Sequence, residues 1–209
     1  MTADPTTWAD LKTSLANWLN RDDLSTTEIP EAIGLAERRL NRVLRVPEME
    51  DAVSTTTSGS TITLPTDFLE LRSAYLATDP KTFLEQMTFG ELGTRYSAAS
   101  TGIPQNFALQ SGTEMVLAPS PDTTYAVVIN YYQKIPALTV SQTTNWLLTA
   151  HPDIYLHASL AELHMLLNDE TRAAFHEGRT RQFVDELTAL GKRKAFSAAP
   201  IRIRAPISI

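Results

Sequence analysis

The chain has 209 residues, of which 43% are apolar and 20% charged, with a formal net charge of −6. These proportions are close to ordinary globular usage, so a buried core is expected, in one large domain or two small ones, and wholesale disorder is excluded. The absence of cysteine excludes disulfide frameworks, thiolate metal sites and cysteine nucleophiles, and the acidic balance speaks against wholesale binding to nucleic acid phosphates.

The charge is unevenly spread. From Lys192 onward there are five basic residues (Lys192, Arg193, Lys194, Arg202, Arg204) and no acid, which leaves 13 basic and 24 acidic residues before them, a net −11. Met1 to Trp8 is polar and acidic, unlike a secretory signal, and no later stretch approaches the ~18 continuous apolar residues of a membrane span. A soluble protein with no membrane contact is expected.

In chain order, Thr7 followed by Asp10 has the form of a capping box, and Trp8, Leu11, Leu15, Trp18 and Leu19 recur on one helical face, predicting a helix near 7–20. Ser25 to Glu28 offers capping chemistry for a second helix with Pro30 in its first turn. Its apolar stripe is Ile29, Ile33, Ala36, Leu40, Val43 and Leu44, and Pro47 closes it. The texture then changes. Val53 to Thr57 and Thr61 to Leu64 read as a β-hairpin around Ser58-Gly59-Ser60, with further strands at 71–77, 105–110, 114–118 and 124–134. Thr88 with Glu91 predicts a short capped helix over 88–96. Asn145 to Thr149 reads as a helical turn, Pro152 starts a helix carrying Ile154, Leu156, Leu160, Leu163 and Leu167, and a last helix over 169–194 carries Phe175, Phe183, Val184, Leu187 and Leu190.

The expected fold is α+β and mainly α. A helical bundle formed by residues 1–47 and 141–195 holds a β-rich, antiparallel insertion over 48–140, followed by an extended C-terminal tail over 196–209. In that tail Ile201-Arg202-Ile203-Arg204 alternates like a strand between Pro200 and Pro206. It is equally a frayed terminus or a strand awaiting another chain's sheet.

Catalytic and cofactor signatures are missing: there is no P-loop, no Gly-x-Gly-x-x-Gly turn and no Gly-x-Ser-x-Gly elbow. No cofactor, metal site or catalytic residue is assigned. His157 and His164 are seven residues apart, roughly 10 Å along a helix, too far to share a metal. His151 sits at a helix start and His176 on a polar face beside Glu177 and Arg179. The pairs Asp22-Asp23, Glu50-Asp51 and Asp169-Glu170 fall at element ends, where acids stay solvated or favour helix N-termini. Tyr131 and Tyr132 with Lys134 suggest stacking on a single strand of nucleic acid, but the basic groove this needs is absent, so strand packing is expected.

Several segments, in order over about 7–190, resemble head-to-tail adaptor (connector) proteins of short-tailed and related bacteriophages. They are Trp8 to Lys12, Ala16 to Arg21, Ile33 to Arg45, Leu64-Pro65-Thr66-Asp67-Phe68 continuing to Ser73, Gly102 to Ala108, Tyr131 to Leu138, Asn145 to Leu148, and Pro152 to Leu160. The resemblance implies a non-enzymatic virion protein of the neck, made in the host cytoplasm. It implies a ring, commonly of twelve copies, docked under the portal protein and joined to a downstream tail or nozzle protein. DNA would pass through its lumen without sequence-specific binding. The C-terminal extension would reach the portal or a neighbouring subunit through Ile201, Arg202, Ile203, Arg204, Ile207 and Ile209. The competing readings are another neck or tail-tube component, an assembly chaperone, or a virion hydrolase using a carboxylate such as Glu162 or Glu177.

Overall fold

The computed structural model describes residues 4–21, 23–24, 27–57 and 59–196. The fold is α+β, with helices α1 (Trp8–Leu19), α2 (Glu28–Val43), α3 (Phe89–Arg95), α4 (Trp146–Ala150), α5 (Pro152–Leu166) and α6 (Glu170–Phe196). Two compact units emerge: Met1–Glu48 with Ile135–Ile209, and Met49–Lys134.

The helical unit begins with the Thr7 cap. Thr7 Oγ1 accepts the Asp10 amide at 3.2 Å, while the Asp10 carboxylate accepts the Thr7 amide at 3.0 Å. This satisfies two of the amides that a helix start leaves without partners. Helix α1 buries Leu11 and Leu15, whereas Trp18, expected on the same face, is 58% exposed. Asn20 takes a left-handed conformation (φ 51°) and ends the helix, a geometry that Asn tolerates better than most residues. Helix α2 lacks a side-chain cap at Thr27, and the chain leaves helical geometry at Leu44, three residues before Pro47. Its buried stripe is Ile29, Ile33, Ala36 and Leu40, with Glu37 among them; Val43 lies outside it.

Helix α5 is buried nearly all round, with Ile154, Tyr155, Ala158, Leu160, Ala161 and Leu163 in the core. It packs against α2 and α6, and a helix with neighbours on several sides needs no polar face. Helix α6 buries Ala173, His176, Thr180, Val184 and Leu187. Phe175 and Leu190, expected in its stripe, are exposed, and His176 lies on the buried face instead of the polar one. The buried stripe keeps the expected Val184 and Leu187, but its first half, Ala173, His176 and Thr180, is made of small and polar residues that hydropathy passes over.

The second unit holds two four-stranded sheets. One has the order β1 (Glu50–Thr56), β10 (Ala126–Gln133), β3 (Phe68–Leu76), β4 (Thr82–Phe83). The other has the order β2 (Thr61–Thr63), β8 (Glu114–Ala118), β7 (Asn106–Gln110), β5 (Glu85–Gln86). A two-stranded pair, β6 (Thr101–Gly102) with β9 (Ser120–Pro121), completes it. Pairing is antiparallel except for β5 with β7 and β6 with β9. The expected hairpin between the first two strands does not form: β1 pairs with β10 and β2 with β8, in different sheets. One core joins inward residues of both sheets, among them Ile62, Ala74, Leu76, Phe107, Met115, Leu117, Val127 and Ile129. Burial on both inner faces favours a sandwich over a free hairpin, which is marginal in water.

Candidate functional site

Four segments that carry the family likeness meet in the helical unit around one buried carboxylate. Glu37, on the core side of α2, is 5% exposed. Its Oε1 accepts the Leu138 amide at 2.8 Å and the Tyr155 hydroxyl at 3.1 Å. Asn145 donates through Nδ2 to the Tyr155 oxygen at 2.6 Å and to the Pro136 carbonyl at 2.7 Å, while its Oδ1 accepts the Leu148 amide at 2.9 Å and caps α4. One turn along α2, Asn41 Oδ1 accepts the Ile135 amide at 2.8 Å. The segment returning from the sheets is thus held by its own backbone groups, as buried polar groups require. Burial raises the Glu37 carboxyl above its usual range, against the lowering effect of the Leu138 and Tyr155 donors. Tyr155 is pushed far up, chiefly by burial and then by Glu37. The arrangement fixes chain path.

A second cluster lies between α5 and α6. His176 sits between the two histidines of α5. Its Nδ1 is 2.8 Å from His157 Nδ1, and its ring stacks on His164 with centroids 5.3 Å apart and planes 4° apart. Trp18 meets His157 and His176 edge-on at 5.9 and 6.3 Å, and Phe183 packs on His157 at 5.6 Å. His164 and His176 are each 6% exposed. Burial lowers all three imidazoles; His176 falls to about 4, helped by the two other histidines and Arg172. Two nitrogens at 2.8 Å share one proton, and His164 Nδ1 has no hydrogen-bond partner among the described residues. Among those residues no group of three or more His, Asp or Glu is placed to hold a metal ion. The seven-residue spacing on α5 hid this cluster, because its third member arrives from another helix.

A third feature is the groove where Glu162 and Glu177 converge. Both pair with Arg39 of α2, Glu162 at 3.3 Å. A guanidinium between two carboxylates ties three helices together. The groove, about 500 Å³ in volume, also has Met165, Glu170, Ala173 and Ala174 on its walls.

The remaining expected positions have ordinary surroundings. His151 forms the junction of α4 and α5. Asp23 pairs with Arg21, Glu50 with Arg72, and Asp169 accepts the Arg172 amide at 3.1 Å at the start of α6. Tyr131 is in the sheet core with its hydroxyl donating to Asp67 at 3.2 Å, and burial followed by Asp67 pushes its pKa up to about 12. Tyr132 lies beneath the Arg72 guanidinium at 5.4 Å, and Lys134 donates to the Thr66 carbonyl at 3.1 Å. Asp22 and the six tail positions Ile201, Arg202, Ile203, Arg204, Ile207 and Ile209 lie outside the described residues. Among the described residues no helix is long and apolar enough to cross a membrane.

Residues 6–204 match the family model of the SU10 adaptor protein. No curated protein matches the chain. With the match covering nearly its whole length, the chain belongs to the SU10 adaptor family, bacteriophage structural proteins that act among other virion components.

Proposed function

From membership of the SU10 adaptor family, we propose that the protein is a non-enzymatic subunit of the virion neck. It forms a ring, dodecameric in the first instance, beneath the portal, joins it to a tail or nozzle protein, and continues the DNA channel. The observation that carries this reading is the family match over residues 6–204. The helices of residues 1–47 and 141–195 form a bundle that builds the ring wall, and the β-rich insertion faces tail components. The chain is made in the host cytoplasm and carried into the particle.

Two features of the molecule support the assignment. The body before Lys192 carries a net −11, and like charges disfavour lasting contact with phosphates, which suits a lumen through which DNA must slide. The arrangements around Glu37 and Arg39 hold chain segments and helices in place, which suits a structural subunit. The tail, with Ile201, Arg202, Ile203, Arg204, Ile207 and Ile209, is the contact-making part, reaching portal or neighbour by strand-like docking.

Native mass measurement of the full chain, alone and mixed with portal protein, tests this. A closed oligomer that binds portal is the expected result; a strict monomer that never joins portal or virions would overturn the proposal. Deleting residues 197–209 is expected to leave a soluble, helical subunit with weakened portal attachment, and unchanged attachment would remove the tail from the mechanism.

A further inference from the structure

The groove between α5 and α6 and the chain's own tail are complementary in chemistry. Three carboxylates, Glu162, Glu170 and Glu177, line it together with Arg39. Arg39 is already engaged by Glu162 and Glu177, and Arg181 stands 3.8 Å from Glu177, so three carboxylates meet two cations and the groove keeps an acidic excess. Its apolar surface includes Met165, which is 58% exposed although it is a large hydrophobic residue. A volume of about 500 Å³ lies within the ~300–1,000 Å³ of sites that enclose a small ligand, enough for a few side chains. The tail carries the matching set, Ile201-Arg202-Ile203-Arg204, two isoleucines and two cations. In an extended chain Ile201 and Ile203 share one face. With that face on Met165 and the alanines, the long arginine side chains can reach the carboxylates of the walls.

Chain length decides whose tail this is. Glu170 to Glu177 lies 19 to 26 residues before Phe196 on α6, roughly 28–39 Å at the helical rise of ~1.5 Å per residue. Ile203 is seven residues beyond Phe196, at most about 25 Å when fully extended. A subunit's own Ile201 and Ile203 fall short even if the chain reverses at once, whereas a second copy can supply them. We propose that the α5–α6 groove is the receptor for the Ile201–Arg204 segment of a neighbouring copy. This rests on the ring reading and makes the contact heterologous, tail of one subunit to groove of the next, the kind of interface that a closed ring repeats.

The cysteine-free sequence allows a direct test by disulfide trapping in the otherwise full-length chain. Met165→Cys and Ile203→Cys proteins are purified separately, mixed and oxidised. Val140→Cys, at an 80% exposed position in the same unit, replaces Met165→Cys as control. The expected result is a covalent dimer at least ten-fold more abundant with Met165→Cys than with Val140→Cys, reduced several-fold when the Ile203→Cys protein also carries Arg202→Glu and Arg204→Glu. Equal dimer yields overturn the inference, as does a double Met165→Cys, Ile203→Cys chain that closes only within itself. Native mass on the same samples separates the two levels of argument. Rings that bind portal through the tail without groove trapping sink this inference alone, and a strict monomer sinks the ring reading with it.

Discussion

The Nδ1 atoms of His157 and His176 meet at 2.8 Å across the packing of α5 on α6. One ring must donate and the other accept, so the contact exists only while at least one imidazole is neutral. The charged groups around the cluster divide. Arg179 and Arg172 disfavour imidazolium, and Asp153 and Asp169 favour it, but burial is the largest influence on all three histidines and holds them below their ordinary range.

Acid should therefore loosen the helical unit through its histidines. Because the folded pKa values are depressed, the unfolded chain binds more protons at pH values between the ordinary histidine value of ~6.5 and the about 4 of His176. Stability from this cluster is complete above ~6.5 and declines as pH falls through that window. Glu37 acts in the opposite sense, since its raised pKa lets the folded state take up a proton more readily. Thermal melts from pH 7.5 to 4.5 should show Tm falling with acidification, and His176→Gln should flatten the slope. Parallel slopes in the two proteins would show that the cluster does not govern the effect.

Removing the hydroxyl of Tyr155 should cost about 1–3 kcal/mol, because Tyr155→Phe deprives buried Glu37 of a donor and Asn145 of an acceptor at once. Urea unfolding of Tyr155→Phe, Glu37→Ala and the double variant measures how strongly the two are coupled. Strict additivity would mean that the network around Glu37 and Leu138 is not a unit.

Glycine to alanine should change sign between two positions of the same helix. At Gly178 nothing lies within 4 Å of an added Cβ, and the better helix former should add up to ~1 kcal/mol. At Gly191 the Cβ would stand 2.8 Å from the Pro47 ring. Overpacking of this kind costs about 1–3 kcal/mol, so Gly191→Ala should lower Tm while Gly178→Ala raises it. Two shifts of the same sign would mean that α6 slides to make room at Pro47.

Much of the helical architecture was legible from local chemistry. Thr7 with Asp10, Thr88 with Glu91, Asn145 and Pro152 mark helix starts through bonds within a few residues of each other. Strand partners were less accessible. The Ser58-Gly59-Ser60 turn signal suggests local pairing, yet β1 finds β10 some seventy residues away because an apolar face on each sheet must be covered by the other. The histidine cluster escaped detection for a similar reason: His176 looked solvated beside Glu177 and Arg179, and only the small residues Ala173 and Thr180 betray the face that α5 covers.

The position of the sheet unit within the chain also sets a schedule for synthesis. Helix α2 leaves the ribosome with Ile29, Ile33, Ala36 and Leu40 bare, and α5, which packs against it, begins only at Pro152. At ~5–20 residues per second, the hundred or so residues between them take roughly 5–20 s to emerge. Through that interval only α1 is there to cover part of this hydrophobic stripe, which makes the newborn chain, and not the finished one, the form most in need of a chaperone.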